Sequence, residues 1–190
     1  IPSNRIAPVT ANALASLNGN TIEKKTLAEE AIRIEQDVVK EHVGSQDQIW
    51  AAYGGIKRID FHKNGGFEVK PVLIPQARRD ELMGNLFLYF TGISRFASEI
   101  AKKQIDNIGN RENHLNTMAG LVAEALSVLQ SDSRPLREIG ELLHQSWMLK
   151  RELADEVSPP EVDDFYQAAR DAGAIGGKLL GAGGGGFMLL

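Results

Sequence analysis

Two groups of residues in this chain have types and spacing suited to chemistry. The first is the run Lys178-Leu-Leu-Gly-Ala-Gly-Gly-Gly-Gly-Phe187. Consecutive glycines let backbone N–H groups converge as an anion-binding nest, and let a phosphate or a second chain segment approach closely. Gly181, Gly183 and Gly186 satisfy G-x-G-x-x-G, but the dinucleotide-binding form needs a strand before the glycines, a helix after them and an acidic residue ~20 positions on. Here the expected order is helix, loop, strand. A Walker A loop fails as well, because Ala172 stands where its first glycine belongs and Leu179 follows the lysine. A tight turn packed on a neighbour is the bland alternative. Four glycines in a row beside a lysine favour a phosphate-related role for Lys178, Gly181, Ala182, Gly183, Gly184 and Gly185. The second group is Gly44-Ser-Gln-Asp47-Gln48. A carboxylate there can orient an attacking hydroxyl or accept its proton. An aspartate after Gly-Ser is also an ordinary helix cap, and on spacing alone the cap is favoured.

Composition narrows the classes. The chain has 190 residues, 43% hydrophobic and 24% charged, a globular mix sufficient for one good domain or two small ones. A formal net charge of −4 argues against a general nucleic-acid binder. No apolar run approaches the ~20 residues that span a bilayer, so neither nucleic acid nor membrane is an expected partner. Cysteine is absent, which removes disulfides and thiolate metal sites and fits a reducing cytoplasm. His42, His62, His114 and His144 show no ligand spacing and read as structural or surface residues. Trp50 and Trp147 read as packing residues.

These groups need elements to position them. Thr26-Leu-Ala-Glu29 reads as a capping box opening a helix to about Lys40, with Leu27, Ala31, Ile34 and Val38 on its buried face. Residues 46–53 read as a short helix stopped by Gly54-Gly55. Residues 56–72 read as a hairpin around Asn64-Gly65-Gly66. Residues 75–80 read as a linker with one helical turn, and residues 86–90 as a buried strand. The chain turns helical from Ser94. Further helices are expected over residues 114–129, from Pro135 towards Val157, and over residues 162–172 with Gly173 as C-cap. Residues 187–190 read as a strand that ends abruptly on an apolar residue, which suggests truncation. The helical stripes of residues 112–157 read as core rather than as an interaction module.

The glycine run resembles the third, C-terminal motif of the GHMP kinases, which include galactokinase, homoserine kinase and mevalonate kinase. Gly44-Ser-Gln-Asp47-Gln48 with Tyr53-Gly54-Gly55 resembles that family's segment carrying an aspartate near the acceptor hydroxyl, and order and spacing agree. The resemblance covers about residues 20–190. Thr91-Gly92-Ile-Ser-Arg95 and the Gly-Ser-Gln-Asp-Gln wording are most similar to the D-glycero-D-manno-heptose 7-phosphate kinases. The family's first motif and its Gly-Leu-Gly-Ser-Ser phosphate loop are missing, and Ile1 to Thr10 match neither, so the chain is expected to be a remnant.

The resemblance implies an α+β fold, with an incomplete S5-like N-terminal part over residues 1–84, a ferredoxin-like C-terminal domain over residues 85–190, and the active site between them. It implies ATP and Mg²⁺, and a sugar-phosphate acceptor converted to a 1,7-bisphosphate. Asp47 becomes the catalytic carboxylate. Tyr53, Gly54, Gly55, Thr91, Gly92 and Arg95 become substrate-binding residues, with the Arg95 guanidinium suited to the sugar's own phosphate. By resemblance to mevalonate kinase, Glu35 becomes a Mg²⁺ ligand, against an exposed helical glutamate as its alternative. The glycine run then buttresses the missing loop. Two other readings stand beside this one: a GHMP kinase acting on a free sugar, and a non-catalytic ligand-binding member of the fold.

Overall fold

The computed structural model describes residues 6–93 and 97–190. The chain divides into two units, Ile1–Val72 and Leu73–Leu190. No described helix is long and apolar enough to cross a membrane.

The first unit packs α1 (Ile6–Leu17), α2 (Lys24–Arg33) and α3 (Gln46–Tyr53) against one another. Ala28 and Ala31 on α2 are fully buried, and their small side chains let α2 lie close to its neighbours. The expected capping box does not form. α2 begins at Lys24 behind an extended Glu23, so Thr26 lies inside its first turn. Lys24 and Lys25 are good helix formers, and Lys24 Nζ is held by the Tyr53 carbonyl at 3.0 Å. After Arg33 the helix widens into a π turn over Ile34–Val38, closed by the Val39 N–H donating to Ile34 O at 2.8 Å. A π turn inserts one residue into the helical register. Glu35, four residues after Ala31, stays on the buried face of Leu27, Ala28 and Ala31, while the inserted residue turns Val38 outward, 60% exposed. Lys40, at φ 59°, ends the helical path near the expected place.

The hairpin forms as read, with β1 (Lys57–Phe61) antiparallel to β2 (Phe67–Pro71) and Ile59 opposite Val69. Gly65 takes the positive φ that its turn requires.

The second unit opens with α4 (Gln76–Gly84), two full turns where a linker was expected. Its Arg78 explains the difference. The guanidinium donates to the carbonyls of Leu129 (3.0 Å), Val128 (2.6 Å) and Arg134 (2.7 Å), capping the end of α6 (Glu112–Gln130). Leu82 of α4 joins Val128 and Leu136 in a small core. Strand β3 (Leu88–Phe90), helix α5 (Ala97–Asp106), α7 (Arg137–Arg151), α8 (Pro160–Asp171), β4 (Lys178–Leu179) and β5 (Phe187–Leu189) complete the unit. α7 stops at Arg151, and a 3₁₀ turn, Asp155–Val157, carries the chain on to Pro160.

The sheet order is β3-β5-β4, antiparallel throughout. Its inward residues, Leu179 and Met188, are fully buried against Ile100, Trp147, Val157, Val162 and Tyr166. β3 is an edge strand, and it is exposed rather than buried: Leu88 and Phe90 stand on the opposite face with Phe187. Its inward Tyr89 stacks on Phe165 of α8, ring centroids 4.5 Å apart.

Candidate active site

In the first unit the helices bring Glu35 and Asp47 into electrostatic reach of each other. Ser45 is the N-cap residue of α3, so Asp47 lies in the first turn rather than at the cap, half-buried, where the partial positive charge of the helix terminus favours a carboxylate. Glu35 is buried, not an exposed helical glutamate, because it lies four residues after Ala31 on the inner face of the helix. Gln48, the residue after Asp47, donates its amide to Glu35 Oε2 at 2.7 Å. Glu35 Oε1 and Gln48 Oε1 are buried without a hydrogen-bond partner among the described residues. Burial pushes the Glu35 carboxyl above the ordinary glutamate range, the Gln48 bond opposes this, and the charges of Glu41 and Asp47 add to the rise.

This donor set suits a hard divalent cation. A buried carboxylate oxygen lacking a partner, in a carboxyl that resists ionisation, gains most from nearby positive charge. Among the described residues no three His, Asp or Glu side chains cluster to hold a metal by themselves. Mg²⁺ is commonly held by one or two carboxylates together with substrate phosphates, and Glu35 fits that pattern.

Tyr53, Gly54 and Gly55 form the stop of α3. The Gly54 N–H donates to Trp50 O at 2.8 Å, Gly54 takes φ 66°, and the Trp50 indole donates to Gly55 O at 3.0 Å. Trp50 is 47% exposed, so its ring fixes this turn rather than filling a core.

In the second unit the structure brings Thr91 and Gly92 onto the glycine loop. The Thr91 N–H and Oγ1 both donate to Gly186 O, at 2.8 and 2.9 Å, and the Gly186 N–H returns to Ile93 O at 3.0 Å. Arg95 lies outside the described residues. On the other side of the loop the Gly184 N–H donates to Val157 O at 2.9 Å. Two positions show why glycine is needed here: a Cβ on Gly183 would stand 2.9 Å from Val157 O, and one on Gly185 would stand 2.5 Å from Ile93 O. The packed-turn reading of the loop therefore describes Gly183 to Gly186 well, and those two amides serve the fold. Two further donors reach the loop's carbonyls: Lys150 Nζ bonds Gly181 O and Gln104 Nε2 bonds Ala182 O. Lys178, at the start of β4 opposite Leu189, is partly buried, and burial pushes its amine below the ordinary lysine range.

Sequence reading missed Gln48, Gln104 and Lys150. Gln48 carried a signal, since it adjoins Asp47. Lys150 and Gln104 carried none, because each looks like a polar residue on an amphipathic helix. Two of the histidines hold structural places, His114 on Glu152 at 2.6 Å and His144 on the Tyr166 hydroxyl at 2.7 Å.

The chain is similar to several known proteins. Residues 122–190 match the family described as GHMP kinases C terminal. The chain is 32% identical over 163 residues to D-glycero-alpha-D-manno-heptose 7-phosphate kinase of Campylobacter jejuni, covering 85% of the chain and 48% of that relative. It therefore spans about half the relative's length. Among solved structures it is similar to L. major mevalonate kinase in complex with R-mevalonate (TM-score 0.73, 22% identity, 98% of the chain and 55% of that one). It is also similar to a D-glycero-D-manno-heptose 1-phosphate kinase from Bacteroides thetaiotaomicron (TM-score 0.69, 21% identity, 98% and 50%). At these identities the two structures speak for the fold.

Proposed function

We propose that this chain, which carries a GHMP kinase C-terminal domain and the α+β fold of its structural neighbours, belongs to a protein that transfers the γ-phosphoryl group of ATP to a hydroxyl of a sugar phosphate. D-glycero-D-manno-heptose 7-phosphate is the acceptor we favour, with the 1,7-bisphosphate as product. The similarity to a heptose 7-phosphate kinase over 85% of the chain supports that acceptor. The observation that carries the chemistry is the nearness of half-buried Asp47, in a helix's first turn, to buried Glu35, whose Oε1 has no partner among the described residues.

In this reading Asp47 accepts a hydrogen bond from the acceptor hydroxyl and takes its proton as the oxygen attacks the γ-phosphorus. The bond from that phosphorus to the bridging oxygen breaks, and ADP leaves. Mg²⁺, when bound, neutralises charge on the phosphate oxygens, and Glu35 is the residue here that would help hold it. Gln48 fixes the Glu35 carboxylate by occupying Oε2. Tyr53, Gly54 and Gly55 border the sugar, and Thr91, Gly92 and Arg95 bind the acceptor, with Arg95 on its phosphate. Gly181 to Gly185, with Lys178, border the transferred phosphate.

The test is a panel of sugars and sugar phosphates offered to the full-length protein with ATP and Mg²⁺. Phosphorus NMR should show a new anomeric phosphate on heptose 7-phosphate. Transfer to free sugars alone, or ATP hydrolysis without transfer, contradicts the proposal.

A further inference from the structure

The glycine loop is held by side chains that lie far from it in sequence. Lys150 belongs to α7 and is 8% exposed. Its ammonium bonds Gly181 O and reaches Leu179 O at 3.5 Å. Gln104, on α5, is half-buried and bonds Ala182 O. These carbonyls belong to successive peptide units. A trans peptide is planar, with its C=O and N–H pointing in opposite directions, and the chain has no cis peptide. Holding Gly181 O towards Lys150 therefore turns the Ala182 N–H to the opposite side. Holding Ala182 O towards Gln104 does the same for the Gly183 N–H. Neither amide is among those spent on Val157 or Ile93. Glycine-rich backbone has little preference of its own, so the direction of these amides needs an external constraint.

We propose that Lys150 and Gln104 are positioning residues for the nucleotide: by gripping two successive carbonyls of the glycine loop, they aim the amides of Ala182 and Gly183 at an anionic phosphate. Lys150 also brings a fixed positive charge to the inner side of the loop, which favours an anion on the outer side. This rests on the kinase reading above. It adds that the loop's competence is set by residues of α5 and α7 that never touch the ligand.

The experiment uses the full-length protein carrying Lys150→Met, Lys150→Arg or Gln104→Leu. Binding of a non-hydrolysable ATP analogue with Mg²⁺ is measured by calorimetry, KM is measured separately for ATP and for the sugar phosphate, and hydrogen exchange is followed over residues 181–186. Lys150→Met and Gln104→Leu should each weaken analogue binding and raise the ATP KM about tenfold or more, the range expected when a carbonyl loses its hydrogen-bond donor, charged for Lys150 and neutral for Gln104. The acceptor KM should stay within about twofold, because uniform damage is not expected from a local loop change. Lys150→Arg should restore most of the affinity, and exchange in the loop should quicken in the two weakened variants. Unchanged analogue binding overturns the inference alone. So does a loss in which both KM values worsen in step with melting temperature. If Lys150→Met does not fold, Gln104→Leu decides by the same readings. A wild-type protein that binds no nucleotide overturns the kinase reading, and this inference with it.

Discussion

Replacing Glu35 with glutamine separates the cost of a buried carboxylate from its use. Glu35 is 3% exposed, and among the described residues only one of its oxygens has a partner. Burial raises its pKa, so the folded protein keeps the proton to a higher pH than the unfolded chain does. The stability from this group is fully present below the ordinary glutamate range and is lost as pH rises through the raised value. Glu35→Gln keeps an acceptor for Gln48 Nε2, removes the buried charge, and brings an N–H donor to the pair in which Gln48 Oε1 lacks one. A buried unsatisfied polar atom costs about 1–3 kcal/mol, and each kcal/mol moves the melting midpoint of a chain this size by roughly 2–4 °C. Without Mg²⁺, at about pH 8, the variant should melt roughly 2–12 °C above the wild type, and the gap should close towards about pH 4, where an ordinary glutamate is protonated. With Mg²⁺ and ATP the order should reverse, because a ligand that binds only the folded state stabilises it in proportion to its affinity. Differential scanning calorimetry over this pH range, with and without Mg²⁺ and ATP, measures both effects. A variant that melts below the wild type at every pH, or that keeps the full stabilisation by Mg²⁺ and ATP, refutes the reasoning.

Gly183→Ala puts a Cβ 2.9 Å from Val157 O and 3.0 Å from Val157 Cα at φ 120°, so both neighbours that must give way are backbone. Strain of about 1–3 kcal/mol should lower the melting midpoint by several degrees and weaken ATP binding; an unchanged midpoint would mean the loop is not clamped on Val157. Arg78→Met leaves the carbonyls of Val128, Leu129 and Arg134 without their cap, and urea unfolding should show a loss of about 2 kcal/mol. A loss near zero would show that water replaces the guanidinium. Arg95→Ala should raise the KM for the phosphosugar at least about tenfold while leaving the ATP KM alone, and equal effects on both would remove Arg95 from the acceptor site.

The pattern of elements was legible where local chemistry decides it. The hairpin follows from alternation around Asn64-Gly65-Gly66, and α8 from its helical stretch before Gly173. The glycine run and the Gly-Ser-Gln-Asp-Gln segment carried enough specific wording to place the family. What was not legible depends on distant partners. Capping by Arg78 turns an expected linker into α4, and the residues it meets lie about fifty positions away. The π turn at Ile34–Val38 moves Val38 from an expected inner face to the surface, and helical periodicity contains no sign of it. β3 is apolar yet exposed, because apolar content alone cannot tell an edge strand from a central one. Thr91 stood out in the sequence beside Gly92, but its bond to Gly186, ninety-five positions on, did not.

The central claim is that Asp47 takes the proton of the acceptor hydroxyl. The most direct test is steady-state transfer by the full-length Asp47→Asn protein, with ATP binding and far-UV circular dichroism measured on the same preparation. Asparagine keeps the shape of the side chain and its place in the first turn of α3 but accepts a proton far more weakly. Turnover should fall by about 10²–10⁴-fold with nucleotide affinity and helix content unchanged. Turnover within a few-fold of wild type would contradict the account, and would return Asp47 to the role of a helix-terminus carboxylate.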